Sequence, residues 1–392
     1  MSLPLLDIIL FLAAVQGIFL SLLIFHKYGN YYANRFLSAY MFLFSIIFIN
    51  LIIGDLNVYR KIPYLLFFHI GIPFLIGPLH YLYAKNLIYP INRFDFKWFL
   101  HLIPFLIFEI LFIIQFVINQ ERLISSTNDY NAEISFIYLI FNWAIIIQGL
   151  MYMFATLVLL HRYSSNIKKI FSSLEKYQLN WLRNITLILT FVLCVFLFEN
   201  VLLLVDINLS HYFSMTSYLA GLAIYLVGYL GLLKSEVFSS QEVISSFHQV
   251  LDNNFIESKQ ADIKERQDKY IKSGLSAEKA KNYLDNLITI METDKLYTDS
   301  NLTLYQMADK LGISTHNLSE VINTQRNQNF FDFINQYRID RVKKDLTDPA
   351  KSNLKILSIA FDAGFNSKAS FNTIFKKFTG LTPSDYRNKA SS

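Results

Sequence analysis

The residues with the clearest chemical potential lie near the C-terminus, in the stretch IAFDAGFNSKASFNTIFKKFTGLTP of residues 359–383. The stretch has the pattern of a short helix, a tight turn at Gly364 and a second helix on which Lys368, Asn372 and Lys376 recur every four residues. Side chains at this spacing share one face of a helix. Lysine ammonium groups bind phosphate, and an asparagine amide can form a bidentate contact with adenine. The pattern therefore predicts a helix that reads nucleic acid.

The charge of the C-terminal part agrees with such a role. Residues 326–392 hold 12 lysines and arginines against 6 aspartates and glutamates, a net charge of +6. A basic surface of this kind attracts polyanions. The single cysteine, Cys194, lies in an apolar run and has no second thiol for a disulfide or a metal. The sequence shows no phosphate-binding glycine loop, nucleophile triad or metal-ligand spacing, so we predict no enzyme, no metal and no cofactor.

Two helix-turn-helix units are predicted to position the basic residues. Such a unit needs a small residue where its helices cross and a turn residue that tolerates positive φ. Ala308 and Gly312 meet this requirement within residues 303–323, and Ala360 and Gly364 repeat the spacing 52 residues later. Two copies at the same spacing predict a pair of units.

Capping and packing residues support both units. Thr303 with Gln306 forms a predicted capping box, Ser314 is predicted to cap the helix that follows the first turn, and Pro383 is predicted to start a last helix. The residues predicted to hold the second helix of each unit inward are Leu318, Val321 and Ile322 in the first unit and Phe371, Phe375 and Phe378 in the second.

Two further helices accompany these units. Residues 329–346 are long enough for about five turns at 3.6 residues each, with apolar positions on one side and Arg338, Arg341 and Lys344 on the other. An amphipathic helix is predicted to begin near Ser276. We expect its apolar stripe to pack on the helix-turn-helix module or on a partner subunit.

The pair of units joined by a helix resembles the DNA-binding domain of the AraC/XylS family of bacterial transcription regulators, over roughly residues 280–390. The residues that carry the resemblance are Ala360, Gly364, Phe365, Ser370, Phe371, Phe375, Lys376, Gly380, Pro383 and Tyr386. The chain departs from the family pattern at Val342, where a smaller residue is usual. It also departs in the first recognition helix, which presents His316, Asn317, Ser319 and Glu320 with no Arg or Lys among them.

The resemblance implies which side chains meet DNA. Those on the first recognition helix are His316, Asn317, Ser319 and Glu320, and those on the second are Lys368, Ser370, Asn372 and Thr373. Phosphate contacts dominate affinity, and we assign them to Lys376, Lys377, Arg338 and Arg341. The alternative is that these are ordinary solvated positions on helices.

The rest of the chain has a different composition. The protein is 53% hydrophobic and 17% charged, with a mean hydropathy of +0.34, whereas soluble domains contain about 25% charged residues. A transmembrane helix needs about 20 mostly apolar residues. Seven stretches qualify, near residues 4–25, 36–54, 63–84, 98–118, 134–160, 183–205 and 212–233. We therefore predict a transmembrane bundle over residues 1–233, a cytoplasmic connector over 234–275 and the DNA-binding domain over 276–392.

The distribution of Lys and Arg between the predicted loops sets the orientation. The loops after the first, third and fifth spans hold ten of these residues, and the loops after the second, fourth and sixth hold three. Short basic loops stay in the cytoplasm. We predict a multi-pass protein of the bacterial inner membrane with its N-terminus outside and its DNA-binding domain in the cytoplasm. The seven spans followed by this domain also resemble the membrane-bound members of the AraC/XylS family.

Two carboxylates lie well inside the predicted spans, away from their ends. Glu109 is near the middle of the fourth span, and Glu199 lies in the sixth. Ionisable groups in lipid usually face a bundle interior or a cavity, so these residues are candidates for a signal site. The alternative is a buried neutral carboxyl that is hydrogen-bonded to a neighbour.

These features predict an all-α protein that acts as a one-component regulator, in which the bundle senses a signal and the C-terminal domain binds promoter DNA sequence-specifically. The expected partners are double-stranded DNA, inner-membrane lipid, RNA polymerase, a second copy of the chain in a homodimer, and an unidentified signal. One alternative is a transporter-like protein with a regulatory DNA-binding tail, although seven spans do not divide into related halves. A membrane enzyme that modifies lipid would need a cluster of acidic or histidine residues at one membrane face, and the sequence shows none.

Overall fold

The structure of the chain, a computed structural model, covers most of both predicted halves. It describes residues 5–28, 32–55, 61–62, 71–89, 95–126, 136–175, 177–205, 216–217, 219–223, 226 and 275–391. Within them the regular elements are helices, together with one isolated antiparallel bridge between Phe171 and Thr303. The prediction of an all-α chain with several apolar helices and a C-terminal helix-turn-helix domain is confirmed.

The chain forms two compact units that do not coincide with a simple division of the sequence. One unit is Met1–His161 with Leu179–Ser240, and the other is Arg162–Gln178 with Gln241–Ser392. A short internal segment, which the sequence places between the fifth and sixth apolar spans, therefore belongs with the C-terminal helices.

The first unit is built from long apolar helices. They are α1 (Leu5–Tyr28), α2 (Tyr32–Asp55), α3 (Pro73–Ile88), a 3-10 helix (Phe96–Leu102) that continues into α4 (Ile103–Ser126), α5 (Phe136–Ile170) and α6 (Asn180–Leu203). The last turns of α5 extend into the second unit.

Five helical segments are long and apolar enough to cross a membrane: Asp7–His26, Tyr32–Ile53, Phe96–Ile118, Leu139–Ile170 and Asn180–Leu203. They correspond to the first, second, fourth, fifth and sixth predicted spans. The third predicted span is described only from residue 71 onward, and the seventh only in fragments. A count of seven spans therefore stays a prediction, and the connector of residues 234–275 lies almost entirely outside the described residues.

Small residues bring α1 and α2 together. A Cβ atom on Gly17 would lie 2.2 Å from Ser45 Oγ, so only glycine allows this approach. Ser21 and Ser38 donate their hydroxyls to each other's carbonyl oxygens, both at 2.9 Å. Close contact through small and hydroxyl residues is how helices associate in lipid, where apolar surface gives no net drive. The opposite face of α1 exposes large apolar side chains, among them Phe11 and Phe19, as a lipid-facing surface would.

Besides the end of α5 and the 3-10 helices Leu296–Thr298 and Pro349–Lys351, the described residues of the second unit form seven α-helices. They are α7 (Ala277–Thr293), α8 (Leu304–Leu311), α9 (Thr315–Arg326), α10 (Phe330–Thr347), α11 (Ile356–Asp362), α12 (Lys368–Thr379) and α13 (Pro383–Ser391). Helices α8 and α9 form the first helix-turn-helix unit, α11 and α12 form the second, and α10 joins them.

The apolar stripe of α7 is buried in the core of the first helix-turn-helix unit. Leu287 and Met291 of α7 are fully buried against Met307, Leu318 and other apolar side chains of α8, α9 and α10. Ser276 caps α7, because its hydroxyl accepts from the Lys279 amide. The predicted amphipathic helix therefore packs on the module within its own chain.

The second unit's core is aromatic. Phe371 and Phe375 are 1% and 0% exposed, as the sequence predicts. Phe378 is only partly buried, and the third inward position is occupied by Ile374. The prediction for Phe378 is thus corrected: Phe378 lies in the last turn of α12, which ends at Thr379, and is less covered than the residues in the middle of the helix.

Candidate nucleic-acid interface

Helix α12 presents the side chains that the sequence assigns to DNA. Lys368, Asn372, Thr373 and Lys376 are exposed on this helix, and Ser370 is half-buried near its start. Thr373 turns its hydroxyl back to the Ala369 carbonyl at 2.9 Å. Within the described residues, neither Lys368 nor Lys376 takes part in a salt bridge. This face of α12 therefore offers one amide and two ammonium groups to solvent.

Helix α9 offers a weaker set of groups. His316 is 82% exposed, and its Nε2 lies 3.8 Å from Glu320 Oε2. Asn317 and Ser319 are half-buried beside them. The Glu320 carboxylate repels phosphate, so α9 can approach DNA closely only where Glu320 meets a hydrogen-bond donor such as a cytosine amino group.

The turns before α9 and α12 are set by glycine and serine. Gly312 and Gly364 adopt φ of 67° and 99°, values that side chains with a Cβ rarely adopt. Ser314 and Ser367 then cap the recognition helices by accepting from the backbone amides of Asn317 and Ser370. The predicted capping box between Thr303 and Gln306 also forms, with both hydrogen bonds present.

The sequence predicts a phosphate contact for Arg338, but the structure does not place its side chain at the surface. Its side chain is 1% exposed in the interior of the second unit. Nε donates to the Tyr297 carbonyl at 2.7 Å, and Nη2 donates to the Asp299 carbonyl at 2.8 Å. Nη1 donates to the Ser172 carbonyl at 2.9 Å and to Asn335 Oδ1 at 3.4 Å, and Nη2 also donates to Ser172 Oγ at 3.1 Å.

These contacts use all five N–H groups of the guanidinium. Burial lowers the pKa of Arg338 to about 10, so the group stays charged at neutral pH. The prediction of a phosphate contact by Arg338 is therefore corrected: a fully bonded, buried guanidinium has no donor left for a phosphate. Its function in this structure is to join parts of the second unit.

Two other predicted phosphate ligands are engaged in ion pairs. Arg341 Nε lies 2.7 Å from Asp345 Oδ2, and Lys377 Nζ lies 2.6 Å from Asp332 Oδ1. Both basic side chains are more than a third exposed, at 37% and 58%. Each keeps further N–H donors for a phosphate beside its carboxylate partner. The carboxylate offsets part of its positive charge, however, so they are weaker candidates than Lys368 and Lys376.

One contact surface was not predicted from the sequence at all. Residues 171–175 and 177–178, which follow α5 and are called the strap here, pack in the second unit next to both helix-turn-helix units. The Ser172 amide donates to the Leu302 carbonyl at 3.1 Å, and Glu175 forms a hydrogen bond with Ser367, the cap of α12. The pairs are more than 120 residues apart in sequence, so periodicity could not reveal them.

The two candidate signal residues differ in their surroundings in the first unit. Glu199 accepts hydrogen bonds from the amide and the hydroxyl of Thr216, at 3.1 Å and 2.6 Å. Glu109 Oε2 is buried beside Gly71 and has no hydrogen-bond partner among the described residues. The structure therefore gives Glu199 a bonded partner of its own and leaves Glu109 as the unsatisfied carboxyl.

Comparison with known proteins identifies a domain in the C-terminal unit. A family model described as a helix-turn-helix domain matches residues 307–389. An uncharacterized HTH-type transcriptional regulator of Staphylococcus aureus (strain COL) is 33% identical over 103 residues, which are 26% of this chain and 13% of that protein. The uncharacterized HTH-type transcriptional regulator YtdP of Bacillus subtilis (strain 168) is 29% identical over 112 residues, which are 29% of this chain and 14% of that protein.

The chain thus spans less than a sixth of the length of these curated relatives. Among solved structures, a protein of unknown function from Listeria innocua matches 27% of this chain and 94% of that chain, at 24% identity and a TM-score of 0.24.

Proposed function

We propose, from the AraC-type helix-turn-helix domain at its C-terminus, that this chain is a membrane-embedded one-component transcription regulator whose C-terminal unit binds promoter DNA sequence-specifically. The observation that carries the proposal is the exposed face of α12. It holds Lys368, Asn372 and Lys376 on a capped helix whose other face is fixed by buried phenylalanines. Helices of this kind enter the major groove of DNA.

The three side chains have different tasks in this proposal. The amide of Asn372 forms a bidentate contact with an adenine edge and so reads sequence. Lys376 and Lys368 neutralise phosphates, which adds affinity without sequence information. His316, Ser319 and Glu320 on α9 face a second major groove and contribute less, because Glu320 repels phosphate.

The first unit anchors the regulator in the inner membrane and receives the signal in this proposal. Five apolar helices of sufficient length support a multi-pass arrangement, and the excess of basic residues in alternate loops supports an N-terminus outside and a cytoplasmic reader. Glu109 is the better candidate for the signal site, since its buried oxygen has no partner among the described residues. RNA polymerase and a second copy of the chain are the protein partners that we propose.

The proposal is tested by binding of the full chain to DNA with substitutions on α12. We expect Asn372→Ala to cost about 1 to 3 kcal/mol at one position of a selected site and to relax base preference there. We expect Lys376→Ala to weaken all sequences alike and to lower the slope of log affinity against log salt by about one. Selection of binding sites from a random duplex library, followed by salt titration, measures both quantities.

Lys281→Ala is the matched control, because Lys281 is an exposed lysine of α7, outside both helix-turn-helix units. It should leave the salt slope unchanged. The proposed docking of α12 would be wrong if Lys376→Ala behaved like this control and Asn372→Ala kept the wild-type base preference.

A further inference from the structure

Ser172 makes most of the hydrogen bonds that attach the strap to the C-terminal helices. Ser172 is 1% exposed. Its amide donates to the Leu302 carbonyl, while its carbonyl and hydroxyl oxygens accept from Arg338. The Asn335 amide also donates to the Ser172 carbonyl, at 3.2 Å. Every backbone and side-chain polar group of Ser172 thus has a partner on the C-terminal helices or the segment leading into them.

Buried apolar side chains lie within the strap on both sides of this residue. Phe171 and Leu174 are each 3% exposed. The ring of Phe171 stacks on Tyr177, with centroids 3.8 Å apart and an interplanar angle of 19°. Phe171 also forms the isolated antiparallel bridge with Thr303, the residue that caps the first helix-turn-helix unit. The strap is therefore a docked segment with defined contacts.

The docked strap carries an acidic group to the start of the second recognition helix. Glu175 is exposed, and its Oε1 is hydrogen-bonded to Ser367 Oγ, the N-cap of α12. The N-terminus of a helix attracts anions because its amide groups are unpaired and its dipole is positive there. It is also the end of a recognition helix that contacts base edges between two phosphate backbones. The Glu175 carboxylate therefore lies at the N-terminus of α12, the same position that the phosphates of DNA approach in the proposed complex.

From this geometry we infer that the strap is an autoinhibitory segment: docked as it is here, it competes with DNA for the second recognition helix. The inference rests on the proposed function and adds the regulation of the same site. The strap is continuous with two apolar helices, since α5 ends at Ile170 and α6 begins at Asn180. A signal that moves either helix would pull the strap away from α12 and free the helix for DNA.

The first test compares charge variants of the full chain in lipid nanodiscs, with a fluorescein-labelled random-sequence duplex as the probe. We expect Glu175→Gln to bind the duplex about three- to ten-fold more tightly than wild type at low salt, the size of one unit-charge repulsion at close range in water. The gain should shrink at high salt, because it is electrostatic. Glu278→Gln is the matched control, since it removes the same charge from an exposed position on α7.

Three results would be decisive. Tighter binding by Glu175→Gln alone is the expected one. Equal affinities for wild type and Glu175→Gln, or an equal gain in the Glu278→Gln control, would overturn the autoinhibitory strap and leave the proposed function standing. Absence of duplex binding by every protein at low salt would overturn the proposed function itself, and the inference with it.

A second test uses the reciprocity of competing equilibria. If DNA and the strap compete, saturating the wild-type full chain with duplex should undock the strap and accelerate hydrogen exchange at the Ser172 amide, which is bonded to Leu302 in the docked state. Exchange at the Leu287 amide, within α7, serves as the internal control and should not accelerate. Unchanged or slower exchange at Ser172 on DNA binding would overturn the inference.

Discussion

At the scale of single residues, the role of Arg338 in the structure differs from the role that the sequence predicts. On the sequence it shares a helix face with Arg341 and Lys344, and a basic helix face predicts phosphate contacts. In the structure its guanidinium is buried and all five N–H groups donate to oxygens, four of them on Tyr297, Asp299 and Ser172. None of these acceptors is close to it in sequence. The role of Arg338 could therefore not be predicted from helical spacing.

We expect Arg338→Met to lower the free energy of unfolding of the second unit by about 3 to 5 kcal/mol, because the substitution leaves buried carbonyl oxygens without donors. Arg341→Met is the matched control on the same helix. It should cost at most about 1 kcal/mol, since Arg341 is partly exposed and Asp345 keeps Lys351 at 2.6 Å.

The measurement is hydrogen exchange at the buried α10 amides of the full chain, which reports opening of the second unit. Equal losses for the two arginine variants would show that Arg338 is an ordinary helix residue. They would contradict its assignment as the joint between the strap, α10 and the segment that leads into α8.

At the scale of elements, the local chemistry of the sequence predicts the helix boundaries well. Thr303 and Ser314 cap helices as expected, and α7 begins next to Ser276, as predicted. The helix predicted over residues 329–346 spans Phe330–Thr347. Caps and turns depend on neighbours within a few residues, so a single sequence contains the necessary information. Phe378 shows the limit, because the burial of a side chain in the last turn of a helix is decided by what packs against it.

The two turn glycines illustrate a difference that the sequence could not show. Both have positive φ, but a Cβ on Gly312 would meet nothing within 4 Å, whereas a Cβ on Gly364 would lie 2.4 Å from the Tyr297 carbonyl oxygen. The same oxygen accepts from Arg338. Gly364 is therefore required by a backbone contact as well as by its own conformation.

We expect Gly364→Ala to destabilise the second unit by about 3 kcal/mol or more, from positive-φ strain together with displacement of the backbone at Tyr297. Gly312→Ala should cost only about 1 to 2 kcal/mol, the strain alone. Thermal unfolding of the full chain, followed through exchange at α10 amides, separates the two. Similar effects of both substitutions would mean that the close approach at Gly364 relaxes at little cost.

At the scale of the whole molecule, composition predicts the division between apolar helices and a polar C-terminal module. The distribution of Lys and Arg predicts which side of the membrane each loop faces. The assignment of the strap to the C-terminal unit could not be predicted, because it depends on contacts between residues more than 120 positions apart. Those contacts carry information on topology. Ser172 bonds directly to Leu302 and Arg338, so the loop after α5 must lie on the same side of a membrane as the DNA-binding unit.

The positive-inside distribution gives an expectation for reporter fusions, and the strap contacts independently require Ser172 and the C-terminal helices to share one side of the membrane. A reporter that is active only in the periplasm should give a signal when fused near Thr127, in the loop after the fourth predicted span, and none when fused near Ser172 or Ser240. A cytoplasmic reporter at the same three positions should give the complementary pattern and controls for expression of each fusion. Periplasmic activity at Ser172 together with cytoplasmic activity at Ser240 would be the most damaging result. It would place the strap and the C-terminal helices on opposite sides of the membrane. The Ser172 hydrogen bonds to Leu302 and Arg338 could not form in that arrangement.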